Sequence, residues 1–346
     1  MAEDVAIVGA GQAGLSTAHH LKRLGVDPLL IDAGAGAGGS WPHGWDGLRL
    51  FSPRDYSSLS GWPMPPTAEE YPTRDAVVAY FEEYERRYQL RIHRPTVVSE
   101  VVPADGGFLL RTSNGALPAR ALVSATGTYS GAWLPDVPGR DSFPGMQMHS
   151  AQYRHPGPFE GLHVGVVGGG NSGAQILAEV SRVARTSWFT DGPVRFLPDG
   201  LDGRDLFDLS TRRFRAAQRG EAVEQIDAFS HVVMLESVRQ ARDRGVLVSR
   251  GLVHEFDGSN IVSDEGRIGV DAVIWCTGFR TDLAHLQGLR LPQRHSTLCR
   301  RSRSRHYPGL WLMGYGEWTG YASATIIGVQ KHAKLAAGEI VDYLNS

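Results

Sequence analysis

Residues 5–14 read VAIVGAGQAG, and residues 164–173 read VGVVGGGNSG. Each is a short, continuous apolar run closed by a Gly-x-Gly-x-x-Gly turn. Val5–Val8 and Val164–Val167 have the pattern of strands buried on both faces. A helical pattern follows each turn, Leu15 to Leu24 and Ala174 to Val183. A second apolar run comes next, Pro28 to Ile31 and Thr186 to Thr190. Strand, glycine turn, helix and strand together form the context that a dinucleotide-binding motif requires. Gly9 allows the tight turn, Gly11 the close approach of a pyrophosphate, and Gly14 the packing of helix on strand. Gln12 and Ala13 lie between them, at a helix N-terminus that faces the phosphates. Gly168, Gly170, Asn171, Ser172 and Gly173 repeat this arrangement. Asp32, just after the second run, stands where an acid accepts hydrogen bonds from a ribose.

The pattern extends outward from both turns. Residues 96–126 predict a three-stranded meander (VVSEVV, FLLRTS, ALVSATG) with turns at Asp105-Gly106-Gly107 and Asn114-Gly115. It closes on Ala125, Thr126 and Gly127, small residues suited to a backbone passing close to a cofactor. Residues 252–278 predict a second meander (LVHEF, NIVSD, DAVIWCTG) that closes on Thr277 and Gly278. Thr73 is a candidate N-cap for a helix from Ala76 to Tyr88, whose Val77, Tyr80, Phe81, Tyr84 and Tyr88 face a core. Leu310–Met313 predicts a strand, Gly314–Trp318 a turn that includes Gly316, and Ala322–Leu344 a long helix.

The expected fold is therefore α/β, with two Rossmann-like dinucleotide-binding domains, each with a β-meander, the second inserted into the first. The expected boundaries are 1–150 for the first part of one domain, 151–275 for the inserted domain with a largely helical insert at about 201–245, and 276–346 for the return.

A chain of 346 residues has ample material for two domains. The net charge of −2 argues against nucleic acid or an anionic membrane as partner, and RRSRSR at 300–305 reads as a solvated loop. There are two cysteines, Cys276 and Cys299, and no Cys-x-x-Cys, so no dithiol redox centre. Few cysteines and no signal-like or spanning segment lead to a cytoplasmic expectation. A homodimer is compatible with this reading.

Between the two turns lies FPGMQMHSAQY, 143–153. Phe143, Gly145, His149 and Tyr153 fit Phe-x-Gly-x-x-x-His-x-x-x-Tyr, which resembles the fingerprint of flavin-dependent monooxygenases with two dinucleotide domains. Taken alone, the stretch also reads as a plain connection with a Pro-Gly turn. Gly-Gly-Ser-Trp at 38–41 resembles the segment these proteins lay along the flavin ring; a Trp-rich loop closing the core is the alternative. Nearly the whole chain resembles a short bacterial class B flavin monooxygenase. GGSW, LRLFSP (48–53), the 143–153 stretch, FLPDGLDGRDLF (196–207) and GYGEWTGYASATIIG (314–328) resemble flavoproteins of arsenic-resistance operons in particular.

The resemblance implies FAD in the first site, against Gly9, Gly11, Gln12, Ala13, Gly14, Asp32, Gly39, Ser40, Trp41, Ser52, Val98, Ala125, Thr126, Gly127 and Gly316. It implies NADPH or NADH in the second, against Gly168, Gly170, Asn171, Ser172, Gly173, Thr190, Asp191, Thr277 and Gly278. It also implies hydride transfer to FAD and reaction with O2 to a C4a-(hydro)peroxyflavin. One oxygen would then pass to a soft heteroatom of a small molecule (sulfide, amine or arsenical), with ketones as a further class. An NAD(P)H-dependent flavin reductase without productive oxygenation is the alternative.

Two departures from the family pattern matter. Phe51 aligns where many flavin-containing monooxygenases have an asparagine beside the flavin, which puts efficient amine N-oxygenation in doubt. After the strand ending at Thr190, Asp191 stands where NADPH readers have Arg or Lys, and Arg195 comes only later, so NADH use or relaxed specificity is expected. His149 and Tyr153 are expected to position the domains rather than act as general bases, and Tyr153 in place of Trp leans toward heteroatom oxygenation.

Overall fold

The computed structural model describes residues 2–221, 231–292 and 294–346. Strand β1 (Glu3–Val8) enters helix α1 (Gln12–Arg23) through the first glycine turn, and β2 (Leu29–Ile31) follows. Helix α2 (Arg74–Arg87) starts at Thr73, whose Oγ1 accepts from Ala76 N at 3.1 Å. Then come β3 (Arg91–His93), β4 (Val98–Ala104), β5 (Gly107–Thr112) and β6 (Gly115–Ser124). Val5 and Ile7 of β1 pack into one hydrophobic cluster with α1 and α2, while Ala6 and Val8 pack into another under the meander. That two-sided burial is why the strand reads as an unbroken apolar run.

The second unit starts with β7 (Met146–His149), β8 (His163–Val167), α3 (Asn171–Val180) and β9 (Arg185–Phe189). Helices α4 (Gly203–Gln218) and α5 (Glu236–Asp243) follow; residues 222–230 of the expected helical insert lie outside the described residues. β10 (Val253–Asp257), β11 (Asn260–Ser263), β12 (Gly266–Gly269) and β13 (Ala272–Trp275) complete it. The chain then makes the short turn of helix α6 (His295–Leu298), the strands β14 (Cys299–Arg300), β15 (Arg303–Ser304) and β16 (Leu310–Leu312), and helix α7 (Val329–Leu344).

The first sheet runs β14-β15-β16-β6-β1-β2-β3, with the meander strands β4 and β5 attached to β6. From β16 to β3 the strands are parallel. The second sheet, β7-β13-β8-β9, is parallel throughout, and β10-β11-β12 forms a separate antiparallel sheet. The α/β class with two Rossmann-like sheets is as expected. Among the described residues no helix is long and apolar enough to cross a membrane.

Three expectations need correction. The third strand of the second meander is β12, not the DAVIWCTG run. Ala272–Trp275 is buried on both faces and sits at the centre of the second sheet, so an antiparallel edge cannot hold it. The 143–153 stretch contributes β7 to the second sheet, which therefore begins before the boundary drawn at 150. The last helix starts at Val329, not Ala322: Ala322 has φ +56° and residues 321–328 form consecutive turns. β3 carries no apolar run of its own and went unread.

Two crossovers join the units, 125–145 outward and 277–281 back. They are zipped to each other: Ala132 bridges Phe279 antiparallel, Arg280 N donates to Gly131 O at 2.7 Å, and Trp133 N donates to Gly278 O at 3.1 Å.

Candidate functional site

The two glycine turns are sterically equivalent. A Cβ on Gly14 would lie 1.9 Å from Gly9 O, and one on Gly173 would lie 2.1 Å from Gly168 O. Gly9 and Gly168, both at positive φ, press likewise on the backbone carbonyls of Ala125 and Cys276, at 2.5 and 2.2 Å. Gly11 and Gly170 differ from these four. The nearest atom to a Cβ on Gly11 is 3.9 Å away, and nothing lies within 4 Å of one on Gly170. Protein packing does not require glycine at these two positions. Each is the N-cap of its helix, with no side-chain cap, so the first N–H groups of α1 and α3 stay available to a ligand.

A groove of about 430 Å³ opens over the first turn. Gly9 to Ala13, Asp32, Gly39, Ser40 and Ala125 to Gly127 all line it, and so do His43, Tyr129, Phe279 and Ala324. Gly39 lies against Gly11, where a Cβ would come 2.8 Å from Gly11 Cα. Gln12 donates to Ala324 O at 2.9 Å and accepts from Trp41 Nε1 at 3.3 Å, tying the GGSW segment to the C-terminal turn. Beneath the groove, Tyr315 OH lies 2.7 Å from Thr126 Oγ1, and Ser124 Oγ 2.9 Å from His285 Nε2. This buried network fixes the Ser124–Thr126 backbone. Asp32, 8% exposed, faces the groove. Its Oδ2 is shut off from solvent and pairs with Arg94 Nη2 at 3.1 Å. An open glycine cradle, uncapped helix amides and a carboxylate on the groove wall fit an FAD-type dinucleotide.

His149 sits at the end of β7. Its Nε2 is 3.0 Å from Gly278 O, and Ala151 N donates to its Nδ1 at 3.1 Å. A carbonyl only accepts and an amide N–H only donates, so the partners assign the neutral Nε2–H tautomer. Burial pushes its pKa down, opposed by the bond to Gly278. Its ring meets Phe279 edge-on at 5.0 Å, and Phe279, Tyr129 and His43 stack in a ladder. Tyr129 OH lies 2.8 Å from His43 O and 2.9 Å from Ala151 O, two acceptors that share its one proton. His149 thus joins the second sheet to the returning crossover beside the groove.

The other sequence-predicted residues separate from this site. Tyr153, 1% exposed, donates to Glu179 Oε2 at 3.0 Å, while Trp45 Nε1 donates to Oε1 at 3.1 Å. Desolvation raises the pKa of both Tyr153 and Glu179, so Tyr153 is a structural clamp between the 45–47 loop and α3. Phe51 does not line the groove; it stacks on Phe207 at 6.0 Å, and Gly203 N donates to its carbonyl. Ser52 is buried against Ser57, at 2.9 Å between hydroxyls. Val98 pairs with Thr112 in the meander, away from the groove lining. Gly316 O accepts from Thr319 and Ser323.

In the second unit the Asn171 side chain binds His231 O and Val233 N, leaving its own backbone N–H for a ligand. Ser172 follows it in the first turn of α3. The Thr190 hydroxyl is used internally, on Gly192 O and Ser249, whereas Asp191 is exposed at the end of β9. Thr277 Oγ1 donates to Trp133 O. His43, Tyr129 and Phe279 went unread because they meet only through folding of distant crossovers. Among the described residues no group of three or more His, Cys, Asp or Glu could hold a metal.

A family model described as pyridine nucleotide-disulphide oxidoreductase matches residues 6–199, the span holding both glycine turns. A flavin-containing monooxygenase from Stenotrophomonas maltophilia is 41% identical, with a TM-score of 0.88 and 99% of each chain covered. The chain belongs to the flavin-containing monooxygenases. It is a flavin-dependent oxidoreductase without a dithiol pair, since Cys276 and Cys299 are both free and buried. The monooxygenase is also similar to an uncharacterized CzcO-like oxidoreductase of Geobacillus kaustophilus (strain HTA426), 27% identical over 98% of this chain and 99% of that one. Indole-3-pyruvate monooxygenase YUCCA1 of Oryza sativa subsp. japonica is 34% identical over 59% of this chain and 50% of its own length.

Proposed function

We propose that this monooxygenase binds FAD over Gly9–Gly14 and NADH or NADPH over Gly168–Gly173, and oxygenates a soft heteroatom of a small molecule: a sulfide, an amine or, as in the arsenic-operon relatives it resembles, a trivalent arsenical. The observation that carries this reading is the paired cradle, two turns with the same forced glycines and the same open one. Bound FAD would take a hydride from the nicotinamide and activate O2 for transfer of one oxygen atom.

The chain's own groups bind and exclude water. The first N–H groups of α1 and α3 meet pyrophosphates, and Asp32 meets a ribose. The stack of His43, Tyr129 and Phe279 walls the groove beside the crossovers. His149, neutral and with both ring nitrogens engaged, holds β7 to Gly278 and moves no proton.

The test is the stoichiometry when reduced holoenzyme meets O2 in the presence of sulfides, amines, ketones and organoarsenicals. Oxygenated product matching the nicotinamide consumed supports the reading. Immediate return of oxidised flavin with equivalent H2O2 for every substrate establishes the reductase instead. In the same assay His149→Ala is expected to keep FAD bound but divert more reducing equivalents to H2O2; loss of FAD would show a different role.

NADH use or relaxed specificity is expected. Asp191 is exposed at the end of β9, and at ~5 Å in water a carboxylate repels a dianionic 2′-phosphate by about 1.7 kcal/mol, roughly tenfold. Asp191→Ala should therefore raise kcat/KM for NADPH relative to NADH by about tenfold. An unchanged ratio removes Asp191 from the site.

A further inference from the structure

Arg94, at the end of β3, stands between two acids. Nη1 donates to Glu85 Oε2 at 2.7 Å and Nη2 to Glu85 Oε1 at 2.9 Å, a two-pronged grip from α2. On the other side Nη2 lies 3.1 Å from Asp32 Oδ2. The three side chains are 16%, 12% and 11% exposed. Among the ion pairs of the described residues, these two alone have both partners less than a fifth exposed. Burying charges in this way costs desolvation energy, and a carboxylate–guanidinium–carboxylate triad still leaves one negative charge in excess. The backbone fixes the same point from both sides: Asp32 N donates to His93 O at 3.0 Å, and Thr96 N donates to Asp32 O at 2.8 Å.

The excess charge has a direction. Glu85 has both oxygens on Arg94, whereas Asp32 turns only Oδ2, itself shut off from solvent, toward Arg94, and the residue lines the groove. A carboxylate paired through one oxygen leaves its second oxygen to accept from a ligand. The matching chemistry is a neutral vicinal diol, which offers two hydroxyl donors; a ribose phosphate would bring more negative charge to a site already in excess.

We propose that Arg94 is a positioning residue for the adenosine half of FAD: gripped by Glu85, it holds the Asp32 carboxylate in the orientation that meets the ribose hydroxyls. The inference rests on the reading of the groove as the FAD site. Arg94 acts through Asp32 and touches neither the flavin ring nor the pyrophosphate turn. Its effect should therefore appear in ligands that carry adenosine and vanish in those that do not.

The experiment uses full-length apoprotein and measures Kd for FAD, ADP and FMN by flavin fluorescence quenching and calorimetry, with apoprotein Tm alongside. Arg94→Met should raise Kd for FAD and ADP about tenfold or more while leaving FMN within about twofold. Arg94→Lys, which keeps a charge but not the fork, should raise Kd for FAD and ADP about threefold and serves if the methionine variant does not fold. If Arg94 works through Asp32, the double variant D32N/R94M should bind FAD no more weakly than D32N alone, within about threefold.

Equal weakening of FAD, ADP and FMN would overturn the proposal in favour of a general structural role. So would unchanged FAD and ADP affinities, or single-variant effects that multiply in the double variant. Wild-type apoprotein that bound no flavin at all would instead bring down the FAD reading, and this proposal with it.

Discussion

Gly14→Ala is expected to yield protein that retains no flavin. The new Cβ would lie 1.9 Å from Gly9 O, a backbone atom held by the turn, so α1 must withdraw from β1. Overpacking of this kind typically costs about 1–3 kcal/mol, and here the withdrawal also breaks the amide cradle; FAD affinity should fall about a hundredfold or more. The equivalent Gly173→Ala, with its clash of 2.1 Å against Gly168 O, should give a yellow protein that neither nicotinamide cofactor reduces at a useful rate. Gly170→Ala is the control. Its Cβ meets nothing within 4 Å, so Tm should hold while KM for the nicotinamide rises. Flavin content, Tm and anaerobic reduction rates check all three. A flavin-replete, reducible Gly14→Ala enzyme would show that the turn tolerates what its geometry forbids.

The second large effect is loss of stability in mild acid. Burial lowers His20, His285 and His332 each to about 4. His285 is bonded to Ser124 beneath the groove, and His332 Nε2 lies 3.0 Å from Tyr321 O. A histidine whose pKa is depressed in the folded state stays neutral there while its unfolded counterpart protonates. Stability is therefore full above the ordinary value near 6.5, falls as pH drops below it, and stops falling near 4. Each fully expressed shift is worth about 3 kcal/mol, less for the more accessible His20. Together these losses rival the ~5–15 kcal/mol that folded domains possess. Glu85 and Glu179, whose pKa values burial raises, work in the opposite direction as they protonate and soften the fall.

Urea midpoints of apoprotein at pH 7.5, 6, 5 and 4.5 should fall steadily, with about half the native stability lost by pH 4.5. His332→Gln keeps a donor for the Tyr321 carbonyl and should flatten the profile. A midpoint independent of pH across this window would show that the three rings are not held neutral.

Both predictions concern residues that differ in how far the sequence revealed them. Gly14 and Gly173 were legible because the constraint on each is local. A turn of six residues brings the helix back onto its own strand, and the missing Cβ is written in the motif. The same holds for the strands Val5–Val8 and Val164–Val167, whose unbroken apolar runs record burial on two faces. His332 and Arg94 were silent. Nothing near His332 in sequence announces that it packs against Gly320 and Tyr321, and Arg94 follows a short strand with no apolar pattern.

The 143–153 stretch lies between these cases. Its spacing marked His149 and Tyr153 together, yet folding sends them apart, His149 to the crossover and Tyr153 to Glu179 in the second core. Phe51 shows the same limit, since nothing local in the sequence announces its stacking on Phe207.

By itself the sequence determined the α/β class, the two dinucleotide cradles and the acid after β2, because these depend on patterns a few residues long. Only the tertiary structure decided which strands share a sheet, where the last helix begins, how the crossovers zip over the groove, and that Arg94 lies between Glu85 and Asp32. Those contacts join segments tens to hundreds of residues apart, and they are chosen by burial and hydrogen-bond satisfaction across the whole fold rather than by any local signal.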